Sequence, residues 1–557
     1  MDGRAIRLDG ATLRRLSGSA WWRLVALCVG LNLVETVLVM TFEPGVRPDL
    51  ATQASAVAPF GVFHDLRWVS VYHDSWITFA GEVVALVLGR GALTAAAIGL
   101  AWPRHVTPVP AARRFGWGVV SSAISILFLA PSVTLLFGTA VVPVSWLFLA
   151  AVPAALLVAL LVHPVAADGR WWRHTIPIRG VVWIVAAFFV TSVASVVQSE
   201  VPPAVWPIVV VVVGCFNAWS WVGVVHAVVD RRPRYPVPLV PVGLAALVGI
   251  VIIGTTLGFE HARPPRTVAA HGSPSAGAGP PVLLVSGYGS TWDGAPRHPL
   301  PGAFLEQPFS YRGLGPGRHP LPYGSADTVK PLAQLDRMLV DQLDALHAAT
   351  GRTPAVVAES EGALVAKTAL LTHRGVLAST LVMASPLVEP GRVSYPTGGS
   401  GGWGVASAEG MRLLSNAFQS ISPIDLSPSS AFLVSVDRAA PSLERTLSCP
   451  IAGVQQVALL PLADALVTSP DTNLPFPTVV VPAFHGGVVE SAEGARLVVD
   501  ALHRVKVQNN AALDVAERVI RSAASAWGVP SLTASDFPPA GPAARQLASC
   551  PGTAVGR

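Results

Sequence analysis

The stretch AVVAESEGALVAKTALL, residues 355–371, decides the fold of the C-terminal half of this chain. Residues 355–357 form an apolar run typical of a buried strand, and the residues after Gly362 have helical composition. Ser360 lies at the sharp turn between them, with the small residues Ala358 and Gly362 two positions to either side. Small residues are needed because such a turn strains the backbone and brings the strand close to the helix. The pattern is G-x-S-x-G with Ala for the first Gly, and it predicts a serine presented at the carboxyl end of a strand.

Segments of strand and helix character alternate along the C-terminal half. This alternation predicts an α/β domain with a mainly parallel sheet that is covered by helices on both faces. A helix over residues 326–349 carries leucines along one stripe. The predicted strands lie at residues 281–285, 308–311, 355–357, 379–384, 454–460 and 477–481.

About 70 residues separate the fourth and fifth predicted strands. This insertion, about residues 387–450, has a glycine-rich stretch and a helical piece over residues 408–418, and we interpret it as a cap or lid. Closing helices begin near residue 497. We therefore predict an α/β domain over residues 281–510, followed by a C-terminal helix and tail over residues 511–557.

The N-terminal half has the composition of a membrane protein. Hydrophobic residues make up 52% of the chain and charged residues 13%, and the apolar excess is confined to the first half. After an arm at residues 1–23, we predict an all-α bundle of about seven transmembrane helices over residues 24–258. Each stretch approaches the roughly 20 residues that span a bilayer. They lie near residues 24–42, 76–99, 115–137, 144–162, 180–197, 206–228 and 239–258.

Arginines concentrate in alternate connections between these spans. The arm and the loops after the second, fourth and sixth spans carry them: Arg4, Arg7, Arg14, Arg15, Arg23, Arg104, Arg113, Arg114, Arg170, Arg173, Arg179, Arg231, Arg232 and Arg234. The positive-inside rule then predicts a multi-pass plasma-membrane protein with a cytoplasmic N-terminus and an extracytoplasmic C-terminal domain. The first span lacks a cleavage site after a short apolar core, which favours a retained signal anchor.

The charge distribution argues against a nucleic-acid partner. The chain has a formal net charge of +5, but from Glu260 onward 21 Lys and Arg face 22 Asp and Glu. The basic excess therefore belongs to the cytoplasmic loops, where it predicts contact with membrane lipids. Residues 259–280 are rich in Pro, Gly, Ala and Ser, which is typical of a linker.

Four ionisable residues fall within or near the predicted spans: Glu35, Glu82, Arg90 and His226. Charge is costly to bury in lipid, so such residues favour a transport or relay role. Pairing with each other, or a place near an interface, is the alternative interpretation.

Around the serine the resemblance to a known family becomes specific. Residues 281–506 resemble an α/β-hydrolase of the esterase or lipase type, over about 225 residues and none of the membrane half. That family orders its triad as serine, acid and histidine. The resemblance implies Ser360 as nucleophile, Asp464 as acid and His485 as base, since Asp464 follows the fifth predicted strand and His485 follows the last. Asp471, seven residues after Asp464, is the alternative acid.

The chemistry explains why these groups are needed together. A serine hydroxyl attacks an ester only if an imidazole takes its proton, and a carboxylate holds that imidazole in the right tautomer. Two backbone N–H groups stabilise the oxyanion that forms. The resemblance implies that they belong to Glu361, the residue after the nucleophile, and to Tyr288, with Gly289 as its neighbour.

The sequence departs from the family pattern in three places. Ala358 replaces a glycine, and this change is tolerable because the position requires only a small residue. Ser286 precedes Gly287 where many members have His-Gly. Two carboxylates, Glu359 and Glu361, flank the nucleophile, and their charge would oppose an anionic transition state if both faced the site.

The expected function is that of a membrane-tethered serine hydrolase that cleaves a carboxylic ester through an acyl-enzyme. Its location suggests a lipid or an acylated envelope component as substrate, and no cofactor or metal is expected. Two alternatives stay open. One is an acyltransferase with the same triad, and the other is a scaffold or transporter whose outer domain is a degenerate hydrolase.

Four cysteines divide between the two halves. Cys28 and Cys215 lie in predicted spans, whereas Cys449 and Cys550 lie in the C-terminal half. An extracytoplasmic compartment permits a disulfide between Cys449 and Cys550, and two free buried thiols are the alternative.

Overall fold

The computed structural model describes residues 18–42, 48–139, 156, 158–160, 162, 177–229, 279–296, 299–300, 304–373, 377–387, 404–419, 430–447, 449–462, 474–483, 485–507 and 510–528. The chain divides into two compact units. The first, called the membrane unit here, comprises residues 1–133, 150–252 and 526–531. The second holds the parallel-sheet domain.

The membrane unit is built from long apolar helices. They are α1 (Gly18–Phe42), α2 (Phe60–Val71), α3 (Trp76–Ala101), α4 (Ala111–Thr139), α5 (Ile178–Glu200) and α6 (Trp206–Val229). Among the described residues, 5 helical stretches are long and apolar enough to cross a membrane, and α2 is not one of them. Their presence indicates a membrane protein.

These 5 helices correspond to the first, second, third, fifth and sixth predicted spans. The second predicted span has the least regular apolar sequence, because it contains Glu82 and Arg90. In the structure it is the continuous helix α3. The fourth prediction, residues 144–162, lies almost entirely outside the described residues, and the seventh, residues 239–258, lies wholly outside them. A count of seven spans therefore stays a prediction.

Residues 48–71 form a segment that the sequence did not reveal, here called the inserted segment. It contains a 3₁₀ helix, Pro48–Gln53, and α2, and it joins the end of α1 to the start of α3. Hydrogen bonds join the middle of this segment to Asn32 of α1, Arg90 of α3 and Asn217 of α6. Asn32 lies ten residues before the end of α1, whereas Arg90 and Asn217 lie fourteen and eleven residues after the starts of their helices. At about 1.5 Å per residue these positions are about 15–21 Å deep, near the middle of a hydrocarbon core about 30 Å thick.

Side chains of the surrounding helices satisfy the non-helical backbone at this depth. The Ser55 amide donates to Asn32 Oδ1 (2.9 Å), and Trp221 Nε1 donates to the Ser55 carbonyl oxygen (3.2 Å). Arg90 Nη1 donates to the carbonyl oxygen of Ala54 (2.6 Å). Irregular backbone inside a membrane requires such partners, because lipid offers none.

Charged side chains in the membrane unit pair with one another. Arg90 makes a two-pronged contact with the Asp65 carboxylate. His64 lies between two carboxylates, with Nδ1 2.9 Å from Asp65 Oδ1 and Nε2 3.6 Å from Glu35 Oε1. The sequence singled out Glu35 and Arg90, but not the partners that α2 supplies.

The end of the last helix also belongs to the membrane unit. The Trp527 side chain packs against the rings of Phe60, Phe63 and Phe188, and its Nε1 donates to Ser192 Oγ (2.7 Å). Arg67 donates to the carbonyl oxygen of Gly528 (2.7 Å). Residues 526–528 are thereby fixed to the inserted segment and α5.

The second unit is an α/β domain around one parallel sheet. Its strands are β1 (Val282–Val285), β2 (Glu306–Pro308), β3 (Ala355–Glu359), β4 (Thr380–Ala384), β5 (Gln455–Pro461) and β6 (Thr478–Val481). The helices are α7 (Leu332–Thr350), α8 (Glu361–Thr372), α9 (Val405–Gln419), α10 (Ala431–Thr446), α11 (Ala492–Leu502) and α12 (Ala511–Trp527). The 6 strands run in the order β2-β1-β3-β4-β5-β6, all parallel.

The strand order creates a crevice between β1 and β3. The chain moves outward from β1 to β2 and then returns to the other side of β1 as β3. In sheets of this kind the loops at the carboxyl ends of the two central strands diverge, and ligands bind between them. The residues that follow β1 and β3 are Ser286 and Ser360, so the quoted stretch lies at this crevice.

Most elements of the domain match the sequence prediction, and three differ from it. The helix predicted over residues 326–349 is a 3₁₀ turn, Ser325–Val329, followed by α7, which begins only at Leu332. The second strand is residues 306–308 and not 308–311, because the chain turns away from β1 after Pro308. The closing helix α11 covers Ala492–Leu502, so it begins five residues before the predicted start at residue 497. Ser491 sets that start, since its hydroxyl accepts a hydrogen bond from the Gly494 amide (3.0 Å).

Candidate active site

A strained turn presents Ser360. The residue has φ 55° and ψ −119°, a conformation that residues with a Cβ rarely adopt. Its amide donates to the Ala384 carbonyl oxygen on β4 (2.9 Å), and its own carbonyl accepts from the Ala363 amide (3.0 Å). These bonds hold the turn between β3 and α8, so Ser360 stands at the carboxyl end of the sheet.

Close packing explains the small residues around the serine. A Cβ on Gly362 would lie 2.6 Å from the Val285 carbonyl oxygen, so α8 approaches β1 only because this position is glycine. A Cβ on Gly287 would lie 3.0 Å from Ser360 Cβ. Ala358 is buried within β3, where a methyl group is accommodated.

His485 meets the serine across a long stretch of sequence. Its Nε2 lies 2.8 Å from Ser360 Oγ, although 125 residues separate them. The histidine follows β6 and precedes Gly486, whose φ of 83° permits the tight turn of the loop. The two residues that the family pattern selected are therefore within hydrogen-bond distance, which is the geometry of a nucleophile and its base.

The predicted acid lies outside the described residues. Asp464 and the alternative Asp471 both fall within residues 463–473, which follow β5. The choice between them stays a prediction.

The two carboxyl groups that flank the serine were expected to oppose catalysis through their negative charge, and the first of them is Glu361. Glu361 is buried beside the Tyr311 hydroxyl, which donates to the Ser286 carbonyl oxygen and not to the Glu361 carboxyl group. Burial raises the pKa of Glu361 well above its usual range, which favours the uncharged carboxyl group beside the serine.

Glu359 faces the histidine loop. Its Oε1 accepts a hydrogen bond from the Val488 amide (3.1 Å). Burial raises the pKa of Glu359 to about 7, while the neighbouring His485 and the Val488 amide act in the opposite direction. From the sequence, the charge of Glu359 counted against catalysis. Its contact with the histidine loop could not be predicted, because the position of that loop depends on tertiary contacts.

Hydrogen bonds from neighbouring elements hold the loop after β1, which carries Tyr288, one of the two predicted oxyanion donors. The Glu361 N–H belongs to the first turn of α8, where the helix itself offers no acceptor. The Gly289 amide is engaged with Thr328 Oγ1 (2.9 Å), so the second predicted donor stays with Tyr288. Tyr311 Oη donates to the Ser286 carbonyl oxygen (2.5 Å) and holds the loop in place.

The predicted cap contributes residues that sequence reasoning missed. Within residues 387–450 the structure places α9 and α10. Tyr288 Oη donates to Ser430 Oγ (3.1 Å), and its ring lies 5.6 Å from that of Phe432. Ser430 caps α10 by accepting from the Leu433 amide (3.3 Å). The sequence signal for this N-cap was a serine directly before a helical run, three residues before the third helical residue, Leu433.

The cysteines agree in part with the prediction. Cys28 and Cys215 are free, and Cys449 is disulfide-bonded. Its predicted partner, Cys550, lies outside the described residues, so the pairing stays a prediction.

Comparisons with family models, with curated proteins and with solved structures find no match to this chain.

Proposed function

We propose that this protein is a membrane-tethered serine hydrolase that cleaves carboxylic esters through an acyl-enzyme. The observation that carries the proposal is the 2.8 Å contact between His485 Nε2 and Ser360 Oγ on a strained strand-to-helix turn. Strain of this kind persists where function requires it, and a serine beside an imidazole is the arrangement of an activated nucleophile.

The proposed reaction follows from these positions. His485 Nε2 takes the proton of Ser360 as Oγ attacks the ester carbonyl carbon, and the N–H groups of Glu361 and Tyr288 stabilise the oxyanion. The carbon–oxygen bond to the alcohol then breaks, and His485 returns the proton to the departing alcohol. Water attacks the acyl-serine in the same way, and this step releases the carboxylic acid and restores Ser360.

The electrostatics of the site support an anionic transition state. The raised pKa of Glu361 favours its uncharged form, which weakens the objection that a negative charge beside the serine would oppose the developing oxyanion. The proposed acid, Asp464 with Asp471 as the alternative, would hold the second nitrogen of His485.

The proposed location is the outer face of the plasma membrane, with the N-terminus in the cytoplasm. The arginine alternation supports this orientation. The proposed substrate is therefore a lipid or an acylated envelope component.

A labelled fluorophosphonate tests the proposal on the purified full-length protein. The wild type should react covalently, and Ser360→Ala should not. Ser385→Ala is the matched control, because Ser385 is also buried at the end of a strand with a left-handed backbone, φ 49°. Labelling that survives in Ser360→Ala contradicts the proposal, and an ester panel of increasing acyl length then defines the substrate.

A further inference from the structure

The loop that carries His485 is attached to the strand that carries the nucleophile. Glu359 is the last residue of β3 and directly precedes Ser360. Its carboxylate oxygen Oε1 accepts from the amide of Val488, three residues after His485, at 3.1 Å. One side chain thus connects the two segments whose separation sets the distance between Ser360 Oγ and His485 Nε2.

The rest of the loop is held by its own turns. Ser491 donates two hydrogen bonds within the segment, from its amide to the Gly487 carbonyl oxygen (3.2 Å) and from its hydroxyl to the Val488 carbonyl oxygen (2.8 Å). These bonds fix the shape of residues 487–491. Burial of Val488 and Val489 in the core cluster that includes Ala355 and Val357 of β3 packs the loop against the sheet, and the bond from Glu359 adds the polar contact next to Ser360.

We propose that Glu359 is a positioning residue for His485, which it holds against Ser360 and whose positive charge it stabilises during acyl transfer. This inference rests on the proposed function. The carboxylate acts on the reaction through the histidine and makes no contact with substrate. Its negative charge favours the imidazolium that exists while the Ser360 proton resides on Nε2.

The pH dependence follows from the ionisation of the carboxyl group. Burial raises the pKa of Glu359 to about 7. The charge of Glu490 acts in the same direction, whereas His485 and the backbone amides of Val488 and Val489 act to lower the pKa. Above that pH the group is a carboxylate, which accepts a strong hydrogen bond from the Val488 amide and faces the imidazolium. As the pH falls through about 7 the group takes up a proton, its charge is lost, and the rate declines. The acidic side of the wild-type kcat profile should therefore be steeper than the uptake of one proton by the catalytic base alone would make it.

Two substitutions separate the charge from the hydrogen bond. Glu359→Gln keeps an acceptor oxygen and removes the charge, and we expect a roughly tenfold lower kcat, an unchanged KM and a shallower acidic limb. Glu359→Ala removes both, and we expect a loss of about 100-fold, as for a displaced catalytic group. Glu493→Gln is the control, because Glu493 lies exposed on α11 in an ion pair with Arg496 and should leave kcat and the profile unchanged.

Amide hydrogen exchange of residues 485–491 provides a readout that needs no activity. We expect faster exchange in Glu359→Ala than in the wild type, with Glu359→Gln close to the wild type. Unchanged exchange in Glu359→Ala, or a Glu359→Gln profile that superposes on that of Glu493→Gln, would overturn the proposal. Failure of the wild type to react with fluorophosphonate would instead overturn the proposed function, and the exchange result would still decide whether Glu359 positions the loop.

Discussion

Gly362 and Val285 lie in direct backbone contact, and this contact joins the nucleophile helix to the central strand. A Cβ at position 362 would stand 2.6 Å from the Val285 carbonyl oxygen, a distance that non-bonded atoms do not tolerate. The contact places α8 against β1 and so fixes the turn that presents Ser360.

We expect Gly362→Ala to destabilise the α/β domain by about 1–3 kcal/mol, the usual cost of overpacking. Thermal unfolding of the full-length protein in detergent measures this. Gly324→Ala is the control, because a Cβ there meets nothing within 4 Å. Equal melting temperatures for the two variants would contradict the expected clash.

The serine and histidine should act as one unit. We expect His485→Ala to lower kcat by several orders of magnitude, as Ser360→Ala does, and the double variant to be no worse than either single variant. Steady-state kinetics with a soluble ester measures all three. Additive losses would show that the 2.8 Å contact is not part of the reaction.

The acid should be Asp464. Asp464→Asn should lower kcat by up to about 10⁴-fold, since the histidine would lose the group that fixes its tautomer. Asp471→Asn should have a mild effect on kcat. The reverse ranking in the same kinetic assay would assign the acid to Asp471.

Lys367 should make stability depend on pH. Its buried ammonium donates to the Cys449 carbonyl oxygen (2.5 Å) and to Gln456, and burial lowers its pKa to about 7. Between about pH 7 and 10 the unfolded chain then carries a proton that the folded state lacks. The free energy of unfolding should rise with pH in this window, by up to about 1.4 kcal/mol per unit.

Lys367→Met should remove this slope, and denaturant titrations at several pH values measure it. A slope that persists in the variant would assign the proton to another group. Arg496→Met is the control, since its charge is exposed and its ion pairs lie at the surface.

Protease treatment of intact cells tests the orientation. Cleavage in the α/β domain without opening the membrane is expected from the arginine alternation. Non-reducing peptide mapping should then recover a Cys449–Cys550 disulfide, which would close a loop of about 100 residues and stabilise the domain by a few kcal/mol. Protection of the domain in intact cells would refute the placement, whereas two free thiols would refute the disulfide alone.

The parts of the fold that the sequence predicted are those with local causes. The turn at Ser360 and the strands next to it follow from small residues between an apolar run and a helical run. Apolar length alone was enough to find 5 membrane helices among the described residues.

The parts that were missed depend on distant partners. The inserted segment contains His64, Asp65 and Arg67, and charged residues of this kind are typical of an exposed loop. They are accommodated because Arg90, Glu35 and the carbonyl oxygen of Gly528 come from elsewhere in the chain. Likewise, the raised pKa of Glu361 depends on its burial against other elements, which no local pattern encodes.

The inserted segment also changes what the membrane helices are required to be. A helix that merely anchors a domain is interchangeable with any other apolar sequence of the same length. Here the helices also supply specific hydrogen bonds near the centre of the bilayer. They are made to Ala54 and Ser55 by four side chains: Asn32, Arg90, Asn217 and Trp221. Replacing these helices with generic apolar helices around residues 48–71 would therefore leave polar backbone groups without hydrogen-bond partners in hydrocarbon.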